Sequence, residues 1–263
     1  MQIGAMNHPG HELLAEIEWI AAAGFDFIDL TLEPPLAGSR HINPKDVHAV
    51  LQAAKLGAVG HTAYYLPLCS PFESLRRAAV DELKHCLEAF AVLGVRWMNI
   101  HPDRQAPLHE HSFVIDRNLE TIRDVLAFGR DHGIGLMIEN LPNGFNTPRQ
   151  LGELLDPLPE LGLHLDIGHA NLLTEKNTTD DILARYGGRL RHVHLHDNRG
   201  GSADLHLPLG AGNLDVPHYV RSLQNCGYDG TITLEVFTPD RRYLSQSREI
   251  LRHLWDKAAA ELV

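Results

Sequence analysis

The chain has 263 residues, with 23 Lys and Arg against 34 Asp and Glu, a formal net charge of −11, and 44% hydrophobic residues. That apolar content excludes a disordered chain, and no run approaches the ~18 apolar residues of a membrane span. The acid excess disfavours a protein that grips duplex nucleic acid by neutralising phosphates, whereas 18 histidines point toward metal.

Short apolar runs alternate with amphipathic stretches along the whole chain. The run Gln2–Met6 precedes a helix over His11–Ala23, with Leu14, Ile17 and Ala21 on one face and Gly24 as its stop. Phe25–Leu32 is the second strand. Asn43-Pro44 then opens a helix with the stripe Val47, Val50, Leu51 and Ala54, ended by Gly57. Ala58–Tyr64 leads to helix Pro71–Leu93, closed by Gly94. Arg96–His101 leads to helix Asp116–Asp131, closed by Gly133, with His109, Glu110 and His111 read as a solvated loop between them. Strands Gly135–Asn140, Gly162–Asp166, Leu190–His196 and Thr231–Phe237 follow, interleaved with helices Pro148–Leu155, Thr179–Tyr186, Val216–Asn225 and Leu244–Leu262. Eight strands alternating with eight helices imply crossover connections and a parallel sheet, which at this length closes as a (β/α)8 TIM barrel, one domain over 1–263. An open doubly wound sheet is the competitor, but no GxGxxG follows the first strand.

Cys69, Cys86 and Cys226 are widely spaced and odd in number, so they read as buried spectator thiols in a reducing compartment. The N-terminus has no basic segment followed by an apolar one, so the expected location is the cytoplasm.

Barrel chemistry sits at the C-terminal ends of the strands. Those ends carry His61, His101, Glu139-Asn140, Asp166 with His169, His194 and Glu235, and the loop after strand seven adds Asp204 and His206. Carboxylates and imidazoles gathered at one mouth repel unless cations join them, and the mixed set suits Zn, Mn, Co or Fe, one to three ions. On strand seven, alternation puts His192, His194 and His196 on one face. His194 is the expected ligand, with His192 and His196 in supporting positions. His8 and Glu33, after strands one and two, are candidates for substrate contacts.

These residues resemble the xylose-isomerase-like TIM-barrel superfamily, which includes sugar isomerases, epimerases and endonuclease IV. The similarity is carried by Asp166-Ile167-Gly168-His169, by His194-Leu195-His196-Asp197-Asn198-Arg199, and by the Gly-rich segment Leu207–Gly212. The epimerase branch implies one divalent metal on Glu139, Asp166, His194 and Glu235, with the two glutamates trading a proton and His169 and Arg199 contacting substrate. Its further glutamate, six residues after the strand-five one, is here Phe145. The endonuclease IV branch implies three zinc ions on His61, His101, Glu139, Asp166, His169, His194, Asp204, His206 and Glu235, all of the right type. This sequence, however, lacks the basic, aromatic-rich loops that would enter a groove. The leading expectation is therefore a metal-dependent sugar or sugar-phosphate isomerase or epimerase with a carbohydrate substrate. A multinuclear zinc phosphodiesterase is the alternative, and a non-catalytic metal-binding barrel a third class. The exposed outer helices of such a barrel are compatible with a homodimer.

Overall fold

The runs rich in Ile, Leu and Val fold as strands because flanking residues stop each helix and leave the next apolar segment to extend. The computed structural model describes residues 1–142 and 144–261. In chain order the elements are β1 (Gln2–Met6), α1 (Leu13–Ala22), β2 (Phe27–Leu32), α2 (Pro44–Ala54), β3 (Gly57–Thr62), α3 (Glu73–Leu93), β4 (Trp97–Ile100) and α4 (His111–Asp131). There follow β5 (Gly135–Glu139), α5 (Pro148–Leu155), β6 (Gly162–Asp166), α6 (Thr179–Tyr186), β7 (Leu190–Leu195), α7 (Val216–Asn225), β8 (Thr231–Leu234) and α8 (Arg242–Glu261). The strand order β1 to β8 closes as a parallel barrel, the architecture expected from the alternation. Leu262, the expected end of the last helix, lies outside the described residues.

Several local expectations need correction. The buried face of α1 is Leu13, Glu16, Ile17 and Ile20, while Leu14 is exposed. The periodicity was right and its phase was off by one residue. Helix α2 stops at Lys55, which takes the left-handed conformation (φ 55°), and Gly57 instead opens β3. Helix α4 begins at His111 rather than Asp116, because Phe113 and Val114 pack against Cys69 and Ala106 and draw the first turn into helix. Cys69 and Cys86 are buried, with burial foremost in raising both thiol pKa values, Cys69 to about 12. Cys226 is exposed, because it sits at the C-terminal end of α7, its thiol donating to the Leu223 carbonyl.

The chain divides into two compact units, Met1–Ala5 with Asn140–Leu151 and Leu163–Val263, and Met6–Glu139 with Gly152–Gly162. In the first, β6, β7 and β8 are in register such that Asp166 pairs with His194 and His194 with Thr233. One row below, His164 pairs with His192 and His192 with Thr231. Side chains of paired residues lie side by side, so the polar groups stand in two layers. In the second unit, β2 through β5 carry α1 to α4. There α3 is tied to α4 by Arg76, whose buried guanidinium meets Glu73 (2.8 Å), Glu120 (3.0 Å) and Asp124 (3.3 Å). Arg117 adds a short ion pair to Glu73, and hydrogen bonds from Arg76, Arg77 and Arg117 hold the Glu73 carboxyl well below the usual carboxylate range. Replacing Arg76 by Met is expected to cost about 1–3 kcal/mol in urea unfolding, a moderate loss because the three carboxylates it leaves are half exposed and rehydrate.

Candidate metal centre

In the first unit the polar groups gather at the ends of β6, β7 and β8. Asp166 and His194 are fully buried. His194 Nδ1 lies 3.1 Å from Glu235 Oε2 and 3.8 Å from Asp166 Oδ2. Asp166 Oδ2 is buried and takes part in no hydrogen bond among the described residues, a costly state for a carboxylate oxygen unless a cation meets it. The backbone here is fixed by Asn140, whose side chain accepts from Asp166 N (2.7 Å) and donates to Asp166 O (2.9 Å). His169 follows in a single 3₁₀ turn, Nδ1 3.1 Å from the Asn140 carbonyl and Nε2 3.0 Å from Asp204 Oδ2.

The loop after β7 brings Asp204 and His206 to the same place. Its anchor is Asp197, whose carboxylate accepts four backbone N–H bonds, from Asn198, Gly210, Gly212 and Leu214, each at 2.9–3.0 Å. A Cβ on Gly212 would stand 2.2 Å from Asp197 Oδ1, so this close approach needs glycine. His206 sits at φ 44°, a strained conformation for a non-glycine residue. Its Nε2 is 3.1 Å from Asp204 Oδ2 and its Nδ1 3.1 Å from the Glu235 carbonyl. Burial works against ionisation of both groups. Even so, hydrogen bonds from His169 and His206 hold Asp204 well below the carboxylate range, and Asp204, Glu235 and Asp166 push His206 up to about 9. Substituting Asp197 by Asn is expected to cost about 2–4 kcal/mol, because the amide nitrogen cannot accept two of these bonds. Chemical denaturation measures that loss.

In the second unit, His101 Nε2 lies 3.0 Å from Glu139 Oε2, which also accepts from Asn99 Nδ2 at 2.7 Å. His61 stands 3.7 Å from Asp29, and its ring packs 5.0 Å from that of His101. His61, His101 and Glu139 present ligand atoms within 4.8 Å of one another, as do His169, His196, Asp204 and His206 in the first unit. Each set could hold an ion.

Other expected residues fall elsewhere. Glu33 is half-buried and accepts from Tyr65 Oη at 2.7 Å. His8 is exposed, stacked on His11, its Nδ1 accepting from Gly10 N in the turn before α1. Arg199 is exposed, its carbonyl receiving Asn213 Nδ2. His192 meets the hydroxyls of Thr231 and Thr233 at 2.7 and 3.0 Å, and with His164 and His194 it forms a further buried group that could hold an ion. Phe145 is buried and paired through its backbone with Leu141. Residue type and strand-end position do not single out Asn99, Asp29 or Asp197, although the period of two puts Asn99 on the face of His101.

A closed parallel barrel with buried imidazole–carboxylate groups at its strand ends defines a class of α/β-barrel proteins able to hold metal ions. The chain belongs to the xylose isomerase-like TIM-barrel family, whose model matches residues 17–254. It is 24% identical over 224 residues to fructoselysine 3-epimerase of Escherichia coli O157:H7, covering 80% of each chain. It is 26% identical over 171 residues to a probable endonuclease 4 of Thermotoga sp. strain RQ2, covering 58% of each. A crystal structure of a D-tagatose 3-epimerase-like protein superposes over 100% of both chains with a TM-score of 0.89 and 27% identity. No helix among the described residues is long and apolar enough to cross a membrane.

Proposed function

We propose that this protein is a divalent-metal-dependent epimerase or isomerase of a sugar or sugar phosphate, using Glu139 and Glu235 as its proton-transfer pair. The observation that supports this most is the buried cluster of Asp166, His194 and Glu235 at the ends of β6 to β8, with His194 Nδ1 3.1 Å from Glu235 and 3.8 Å from Asp166; Glu139, the buried last residue of β5, is the fourth group that the family resemblance assigns. These would be the holders of the metal, Zn, Mn, Co or Fe, and the unsatisfied Asp166 Oδ2 fits a cation. When bound, the ion supplies Lewis-acid polarisation of a sugar carbonyl and its neighbouring hydroxyl, acidifying the C–H between them.

The chain's own residues do the rest. One glutamate takes the proton from carbon and the other returns one to the opposite face, which inverts the centre. Asn99 and His101 steer the Glu139 carboxylate, and His194 steers that of Glu235. Burial keeps competing water from both. Arg199, Glu33 and His8 are the proposed contacts to substrate hydroxyls, whereas His169, which the resemblance offers both as a substrate contact and as a metal ligand, turns its Nε2 to Asp204 and is taken as a ligand. The epimerase relatives, matched over most of the chain, favour this reading over the nuclease one, whose relative is matched over 58%.

The test is to incubate the manganese- or cobalt-loaded protein with free and phosphorylated ketoses in deuterated water. Epimer formation with deuterium at the inverted carbon is expected. Absence of exchange across the panel, with chelator-sensitive incision of a duplex carrying an abasic site, would overturn the proposal in favour of the phosphodiesterase.

A further inference from the structure

Three imidazoles surround Asp204, and all are held the same way. The Nδ1 atoms of His169, His206 and His196 lie 3.1, 3.1 and 3.4 Å from the carbonyls of Asn140, Glu235 and Asp197. A carbonyl only accepts, so Nδ1 of His169 and of His206 carries a hydrogen and Nε2 is the atom that a metal would take; in His196 the carbonyl contact is longer, and Nε2 is the nitrogen without a hydrogen bond. Those Nε2 atoms face the Asp204 carboxylate at 3.0 Å (His169), 3.1 Å (His206) and 3.7 Å (His196). The first two distances run to Oδ2 and the third to Oδ1, and the four ligand atoms lie within 4.8 Å of one another; a tetrahedron of ~2.05 Å bonds has edges of roughly 3.3 Å.

Strand alternation alone gives His196 a supporting place, and two observations give it a larger one. Its Nε2 is fully buried and makes no hydrogen bond among the described residues, with Asp166 Oδ1 3.4 Å away. The position beside it is Gly168, where a Cβ would stand 2.2 Å from that nitrogen. Gly168 has φ −67°, which any residue adopts, so glycine is needed there for the space it leaves and not for its backbone. His196 also stacks on His206 with centroids 4.2 Å apart, which aligns the two rings.

We propose that His196 is the fourth protein ligand of an ion held with His169, Asp204 and His206, so that this site has no open coordination position. The inference rests on the reading of the latter three as metal ligands. Closed four-ligand sites are structural, whereas catalytic ones keep a position for water or substrate. An ion here therefore pins the loop after β7 and is barred from taking a phosphate oxygen.

Cobalt substitution of the intact protein tests this by spectrum rather than turnover. The wild type should bind more than one cobalt ion, one of them with the intense visible bands of four-coordination that inorganic phosphate does not move. His196→Asn should weaken that ion at least ~10-fold against a competing chelator, dim its bands and make them phosphate-sensitive. Should His196→Asn fail to fold, Gly168→Ala displaces the ring and is read in the same way. A wild-type second ion whose spectrum and affinity are unchanged in these variants overturns the role of His196 and leaves the three-ligand site standing. A wild type that binds one cobalt ion or none overturns the three-ligand reading itself, and the proposal with it.

Discussion

Glu235→Gln and Glu139→Gln are each expected to slow solvent proton exchange into the substrate by about 10²–10⁴-fold, the usual range for losing a general acid or base. The pair should differ in direction. If the glutamates serve opposite faces, one variant abolishes exchange from one epimer while retaining partial exchange from the other. Single-turnover deuterium incorporation, run separately from each epimer, reads this directly. Each carboxylate is also a proposed ligand, so metal content must be measured beside the rate. Gln keeps a carbonyl oxygen, and the Asn99 bond to Glu139 Oε2 at 2.7 Å should still orient it. A variant that retains metal yet exchanges protons at the wild-type rate would remove its glutamate from the chemistry.

Metal removal has the second large effect, with a definite dependence on pH. Burial works to lower the His206 pKa, but the hydrogen bond to Asp204 and the charges of Glu235, Asp204 and Asp166 push it from 6.5 up to about 9. On the proposed reading, the metal-free protein at pH 7 carries an imidazolium at the position where a bound ion would need a free Nε2. Binding at pH 7 should release about one proton from this residue, and affinity should rise with pH until about 9. Calorimetry in buffers of different ionisation heat measures the release.

Stability follows the same linkage. The raised His206 stabilises the metal-free fold fully below 6.5, and that contribution is lost as pH rises through about 9. The depressed Asp204 contributes above its ordinary 3.8 and loses that contribution as pH falls. The metal-free protein should therefore be favoured by this pair between those two values and weaken toward alkaline pH. An ion present at 100 times its Kd adds about 2.7 kcal/mol, which chelator should abolish in a thermal melt. A melting temperature indifferent to chelator at pH 8 would contradict the metal-centre reading.

Much of this was legible from residue order. The strands β1, β6 and the helices α5, α6 and α7 lie where the alternation of apolar runs and helix stops puts them. The one-residue error in the phase of α1 arose because Leu13 and Leu14 are equally apolar, and only packing against the barrel decides which is buried. The early start of α4 has the same cause, since Val114 gains its partners Cys69 and Ala106 from distant parts of the chain. At the site, residue type and strand-end position singled out Asp166, His194 and Glu235. They could not reveal that Asp197 gathers four N–H groups, because its donors lie one to seventeen residues away along a folded loop.

The sequence by itself determined the period: eight apolar segments between helices, with ionisable groups at their C-terminal ends. Local rules suffice there, because helix stops and strand propensity act over a few residues. Which nitrogen of each histidine faces a carboxylate was decided by tertiary structure alone. That choice depends on carbonyls such as those of Asn140 and Glu235, brought to Nδ1 of His169 and His206 from 29 residues away. The same holds for His196, whose place beside Asp204 depends on the absence of a side chain at Gly168, 28 positions earlier in the chain.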